Sequence, residues 1–212
     1  MTTPVIVLGA GGHARVLVEA LARLGIEVLG LTDADPARAG SALGSLLVLG
    51  DDAVVLRHTP HDVRLVNGLG SAGSTAQRTR IFEHFRGLGY FFETVAHPSS
   101  IVAYDVILGH GAQLMAGCVV QPGSRIGDNA IINTNASVDH DCNIGAHVHV
   151  SPGATISGGV RIDVGVHVGA GATIIQGVNI GARSIVGAGA VVLDDIPSGV
   201  TVAGAPAKEL HI

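Results

Sequence analysis

Asn133, Asn135, Asp139, His140, Asp141, Asn143, His147, His149 and Ser151 fall within nineteen residues of one another. Imidazole beside carboxylate is the usual means of moving a proton near neutral pH, because the acid holds one tautomer and raises basicity. His140, flanked by Asp139 and Asp141, is therefore the candidate general base. Neighbours on a strand point to opposite faces, so which carboxylate backs it stays open unless the chain turns a corner there. His149 and His167, with Asp163, could instead contribute to a zinc site, which needs three or four convergent ligands. Any one of these histidines could also be a solvated edge residue.

A second site is suggested at the N-terminus. Gly9-Ala10-Gly11-Gly12-His13-Ala14 fits G-x-G-x-x-A between an apolar strand, Pro4–Leu8, and an amphipathic helix, His13–Leu24. Backbone N–H groups and the helix dipole at such a turn receive phosphate, although a plain tight connection reads the same way. Arg15 is a spare cation in the first helical turn, and Asp33, ending a strand over Ile26–Leu31, is where an acid would meet a ribose or base edge. A nicotinamide dehydrogenase needs both halves of a dinucleotide fold, and about 95 residues hold too few strands. One mononucleotide fits better.

The elements that must position these residues fall into two groups. Up to residue 95, the helix buries Val16, Leu17, Ala20, Leu21 and Leu24, and Gly25 ends it. Ser45–Leu49 reads as a strand, Asp51–Arg57 as a helix, Val63–Leu69 as a buried strand, and Ser74–Gly87 as a helix after Gly70-Ser71-Ala72-Gly73. That alternation predicts a small, mostly parallel α/β sheet. From Val102 to Val192 every sixth residue is Leu, Ile or Val, for sixteen consecutive positions. The residue four further on, from Val106 to Ala190, is always Ala, Cys, Ser or Val. A period of six suits neither a helix nor a simple strand. It suits three short strands per eighteen-residue circuit, a triangular parallel β-helix of five coils, about 24 Å tall. Asp194–Gly199 breaks the period, and Val200–Ile212 is predicted to cap the open end. His149 and His167, eighteen apart, should stack on one face. His140 lies half a coil away, so a site collecting both would have to form between adjacent prisms, which argues for an oligomer.

Composition agrees with this picture. The 212 residues include 31 Gly, four Phe, two Tyr and no Trp, which suits an aliphatic solenoid. A net charge of −5 argues against a nucleic-acid surface. Mean hydropathy is +0.49, yet no apolar run reaches the roughly 18 residues of a spanning helix. The opening MTTPVIVLGAGG lacks a basic leader segment, so no signal peptide is expected. Cys118 and Cys142 sit on the small inward position but 24 apart, so buried, unpaired thiols of a reducing cytoplasm are expected.

Taken together, several motifs carry a family likeness. They are Gly9 through Arg15, Asp33 with Asp35-Pro36, Gly68–Ser71 with Arg78, His97-Pro98, Ile132-Asn133-Thr134 and Val138-Asp139-His140-Asp141. Ser151-Pro152-Gly153-Ala154, Val186 through Val192 and Gly204 through Lys208 complete the set. Over essentially the whole chain the sequence resembles the hexapeptide-repeat nucleotide-amino-sugar N-acetyltransferases grouped with sialic acid O-acetyltransferases. The resemblance implies a Rossmann-like nucleotide-sugar domain (1–95) and a left-handed β-helix with a C-terminal cap (96–212). It implies acetyl-CoA as co-substrate, no metal, a cytoplasmic homotrimer with sites between subunits, and a role in a bacterial surface glycan such as a lipopolysaccharide O-antigen.

By residue, the same resemblance places Gly11, Gly12, His13, Arg15, Asp33, Asp35, Gly70 and Ser71 on the nucleotide sugar, with Asn133 lining the site. His140 matches the family's general base and Asp141 its acidic partner, where many members carry Glu. His149 is placed at the acetyl carbonyl as an imidazole donor to the oxyanion. The backbone around Gly153, Gly171, Ala172, Ala188 and Gly189, with Lys208, is placed along CoA. An O-acetyltransferase would use the same site on a hydroxyl and depend more heavily on His140. A non-catalytic hexapeptide scaffold would need neither the polar cluster nor the glycine-rich turn.

Overall fold

A computed structural model of the chain describes residues 3–210. Its N-terminal part holds β1 (Val5–Leu8), α1 (Gly12–Arg23), β2 (Val28–Thr32), β3 (Ala42–Leu43), β4 (Leu46–Gly50), β5 (Arg64–Asn67) and α2 (Ala76–Gly87). The sheet order is β3-β4-β2-β1-β5. All pairs are parallel except the short β3–β4 hairpin, which the sequence did not announce. β1 is wholly buried, as expected for a central parallel strand covered on both faces. One sheet face packs α1 through Ala14, Leu17, Ala20 and Leu21, and this layer runs on into Val95, Met115 and Ile131 of the solenoid. Val16 and Leu24, expected inside, are exposed. Leu17, Ala20 and Leu21 are buried as expected, Ala14 joins them, and Val16 lines a cavity instead. On the other sheet face Ile6, Leu8, Val63 and Leu65 meet Phe82, Phe85, Tyr90 and Phe92. Asp52–Arg57 is a 3₁₀ segment capped by Asp51 rather than an α-helix.

The second part is a left-handed parallel β-helix with three ladders. The first face stacks Ile101–Val102, Val119–Val120, Ser137–Val138, Thr155–Ile156, Thr173–Ile174 and Val191–Val192. The second stacks Ile107–Leu108, Arg125–Ile126, Asn143–Ile144, Arg161–Ile162 and Asn179–Ile180. The third begins at Val95–Ala96 and continues through Gln113–Leu114, Ile131–Ile132, His149–Val150, His167–Val168, Ile185–Val186 and Thr201–Ala203. From Leu114 to Val192 no ladder residue is more than 2 % exposed. Cys118 and Cys142 are buried and unpaired, and burial pushes the Cys118 thiol up to about 12.

From residue 111 to residue 189 each corner passes through one left-handed residue. Gly fills that place at 111, 117, 123, 153, 159, 165, 171, 177 and 189, while Asn129, Asn135, Asp141, His147 and Arg183 hold it at φ of 55–61°. The tail adds a rung before it closes the end. Thr201 pairs with Ile185, two residues short of a full circuit, and Lys208–Glu209 folds back antiparallel along it. The turn between them lays Ala207 against the core. His211 and Ile212, part of the expected cap, lie outside the described residues.

The outward residues sort the three faces. The second carries Arg125, Asn143, Arg161 and Asn179 and meets water. The third carries Gln113, Ile131, His149 and His167, all buried beneath the α/β part. The first carries Ile101, Val119, Ser137, Thr155, Thr173 and Val191, none of them charged. Among the described residues no helix is long and apolar enough to cross a membrane.

Candidate active site

His140 and Asp141 stand on the corner between the first and second faces. The left-handed backbone of Asp141 turns its carboxylate back, so that His140 Nδ1 and Asp141 Oδ2 lie 2.9 Å apart. Asp139 caps the His140 backbone N–H instead. The corner thus resolves which acid backs the histidine. The hydrogen bond to Asp141, then the charge of Asp139, raise the His140 pKa above its ordinary value. Nε2 is free to face a substrate, and the ring lies over Gly158, where a Cβ would come within 2.6 Å of that nitrogen. Gly158 was not picked out from the sequence. Its signal is a glycine eighteen residues after His140, directly above the ring.

Across the prism lie two adjoining open cavities, the larger between the third face and the α/β part and the smaller within the α/β part itself. The larger, about 690 Å³, is lined by His13, Val16, Gly70–Gly73, Asn133, His149, Ser151, His167, Ile185 and Ala188 among others. The smaller, about 520 Å³, is lined by Gly9–His13, Asp33, Arg38, Asp52, Gly68–Ala72 and Gln77 among others. Gly12, His13, Gly70, Ser71 and Ala72 border both. At the start of α1, Gly11 offers no capping side chain and the first turn holds no acid, so its amides are open toward the smaller cavity.

The sequence-predicted residues separate here. Asp33 reaches the smaller cavity, but Arg38 Nη1 donates to its Oδ2 at 2.6 Å. Arg38 also donates to the Ala10 carbonyl, so it, rather than Arg15, is the cation at the glycine turn. Arg15 is exposed and lines neither cavity, nor does Lys208. Asp35 caps the turn at Pro36–Arg38 through Ala37 N. Asp52, which accepts from Thr32 Oγ1 at 2.5 Å, was not anticipated. The amides of Gly153, Gly171, Ala172 and Gly189 already donate to solenoid carbonyls, and Ala172 is an inward residue. Ala188 lines the larger cavity, and among the described residues its amide donates to no backbone carbonyl.

His149 and His167 stack in register as expected, with ring centroids 5.1 Å apart. They are not solvated edge residues. His149 Nδ1 lies 2.6 Å from Ser71 Oγ, and its Nε2 lies 3.1 Å from Asn133 Nδ2. Burial, with His167, His13 and Arg78 nearby, pushes the His149 pKa down to about 2. Burial and Arg78 lower His13 to about 4. Asp163 turns to Arg161 rather than to the histidines, and no three His, Cys, Asp or Glu converge among the described residues.

A buried clasp ties the two parts together. Arg78, 1 % exposed, donates to the carbonyls of Asn67, Leu69 and Asn129. His13 Nε2 meets Gln113 Oε1 at 2.7 Å, and His147 Nε2 meets Glu83 at 3.0 Å.

Known proteins share this architecture. Residues 4–85 match the model described as the PglD N-terminal domain, and residues 105–140 and 123–158 match the bacterial transferase hexapeptide model. No curated protein matches the chain. Among solved structures it is similar to PerB from Caulobacter crescentus in complex with CoA and GDP-perosamine. That match has 39% identity and a TM-score of 0.90 over 99% of this chain and 98% of that one. The acetyltransferase domain of PglB from Neisseria gonorrhoeae FA1090, in complex with acetyl coenzyme A, matches at 37% identity and TM-score 0.92, over 99% and 100%. WeeI from Acinetobacter baumannii AYE matches at 27% identity and TM-score 0.86, over 99% and 100%. With 37% and 39% identity to two of these over 99% of its length, the chain belongs to the hexapeptide-repeat nucleotide-sugar N-acetyltransferases and is an acyltransferase.

Proposed function

We propose that the chain transfers the acetyl group of acetyl-CoA to the 4-amino group of a nucleotide-linked 4-amino-4,6-dideoxy sugar, with His140 as general base. The observation that carries this is the His140–Asp141 pair held on its corner with Nε2 free. The amine lone pair attacks the thioester carbon while His140 takes a proton from nitrogen. The C–S bond then breaks, and the imidazolium returns its proton to the departing sulfur. The glycine turn and Arg38 suit the diphosphate, and the smaller cavity would hold the nucleoside. The larger cavity would take the sugar and the acetyl end of CoA. The relatives solved with CoA and GDP-perosamine support a GDP-linked, perosamine-type sugar as the first acceptor to test.

His140 and the cavities occupy opposite sides of one prism, so a complete site needs a second subunit to supply its His140 corner. The uncharged first face supports a homotrimer assembled through it. Acetyl-CoA as donor suits a cytoplasmic enzyme feeding surface-glycan synthesis. Thermal shift with CoA, GDP and UDP separately, followed by CoA-thiol release with GDP- and UDP-linked 4-amino sugars, tests the reading. Stabilisation by CoA and one nucleotide, with turnover of the matching sugar, is expected. Turnover of a sialic acid hydroxyl with none of any amine would replace it with O-acetylation. No response to any ligand would leave a scaffold.

A further inference from the structure

Ser71, expected on the nucleotide sugar, has its hydroxyl 2.6 Å from His149 Nδ1 and 3.3 Å from His167 Nδ1. One hydroxyl has one proton, which only one of these nitrogens can receive, and among the described residues no other acceptor meets it, so Ser71 donates to one nitrogen and accepts from the other. Asn133 decides which. The Thr134 backbone N–H can only donate, and it meets Asn133 Oδ1 at 2.8 Å, which fixes the amide orientation. Asn133 Nδ2 is therefore the atom facing His149 Nε2, so that nitrogen accepts. His149 carries its proton on Nδ1 and donates it to Ser71 Oγ. Ser71 donates in turn to His167 Nδ1, and the His167 proton sits on Nε2, 3.4 Å from Ser151 Oγ.

We propose that Ser71 and His167 are positioning residues that hold His149 as the Nδ1-protonated neutral imidazole, so that this wall of the larger cavity presents the second N–H of Asn133 rather than an imidazole N–H. This departs from the imidazole donor expected at His149. The groups facing the ring agree with a neutral state. They are His167, His13 with centroid 6.4 Å away, and the Arg78 guanidinium, and no carboxylate contributes to its titration. Asn133 would then meet an acceptor oxygen of the sugar or of the acetyl group, and its strength as a donor would not vary with pH. Only the kinetic part of this inference rests on the acetyl-transfer reading.

The test is long-range ¹H–¹⁵N correlation on the ¹⁵N-histidine-labelled full-length protein. Opposite tautomers are expected, Nδ1–H for His149 and Nε2–H for His167. Ser71→Ala should mix the His149 tautomers, while Ser71→Thr, which keeps the hydroxyl, should restore them. In turnover, Ser71→Ala should lose about tenfold in kcat/KM, the loss expected of one hydrogen bond, and Ser71→Thr should recover most of it. An Nε2–H tautomer at His149 in the wild type, or an unchanged tautomer in Ser71→Ala, overturns the proposal. A wild type with the expected tautomers but no turnover of any amino sugar would sink the acetyl-transfer reading and leave the relay standing.

Discussion

Asp141 sits in a backbone conformation that L side chains rarely adopt, in a column where glycine is the rule. That exchange is what brings its carboxylate onto His140. Three expectations follow at this scale. His140→Ala should lower kcat by about 10²-fold, toward the low end for a lost general base, because an uncharged amine is already nucleophilic. Since the base must be unprotonated and Asp141 raises its pKa, activity should rise as pH climbs through that raised value. Asp141→Asn should move this limb to lower pH, as a kcat/KM profile would show. Gly158→Ala should push the imidazole off its place and cut turnover with little loss of thermal stability, because the ring is solvent-exposed. The column also explains what could be read beforehand. His140 beside acids was visible, but the choice of acid depended on a φ angle. The signal was present as non-glycine residues at 129, 135, 141 and 147 in a glycine register.

Among the elements, the solenoid strands were the most legible, because a six-residue period forces each inward side chain. Ile162, 1 % exposed, tests that register. Ile162→Asp puts a carboxylate into an aliphatic column with no partner and should prevent folding, whereas Arg161→Asp, one residue away and outward, should be tolerated. Circular dichroism of the two variants separates them. In the α/β part the outcome was mixed. Strand and helix positions emerged within a few residues, but α1 buries Ala14 and leaves Val16 and Leu24 exposed, and β3 was missed, because tertiary packing overrides so short a pattern. Nothing in local sequence marks Arg78 as buried, since its partners are three carbonyls distant along the chain. The buried histidines at this junction titrate on unfolding. His13 and His149 have folded values of about 4 and about 2, so below 6.5 the unfolded chain binds more protons and stability falls. Each should cost about 1.4 kcal/mol per pH unit down to its folded value. Urea unfolding between pH 7 and 4.5 should show this slope, and His13→Gln should flatten it.

For the whole molecule, three faces with three chemistries divide the work. Charged residues on the second face keep it in water, the α/β part covers the third, and the uncharged first is the face proposed for self-association. Thr155→Arg should yield a folded monomer by light scattering that has lost activity, although its own His140 and cavities are intact. An active monomer would contradict a site shared between subunits. That division was only partly legible. Stacked histidines on one side and His140 on another were readable from spacing, but that the stacked pair lies under the Gly70–Gly73 loop depends on how the two parts dock.

The docking contacts climb the third face in order: His13 to Gln113, Asn67 to Asn129, Glu83 to His147, Ser71 to His149 and His167, Thr75 to Gly165. The α/β part is therefore a gauge laid against a scale whose divisions are about 4.8 Å apart. Adding or deleting one coil between residues 113 and 167 would slide the stacked histidines a full division past Ser71. The same eighteen residues added beyond Val192 would leave every reading on the gauge unchanged. By this geometry the tail has room to lengthen, but the span under the α/β part is held to a fixed count of rungs.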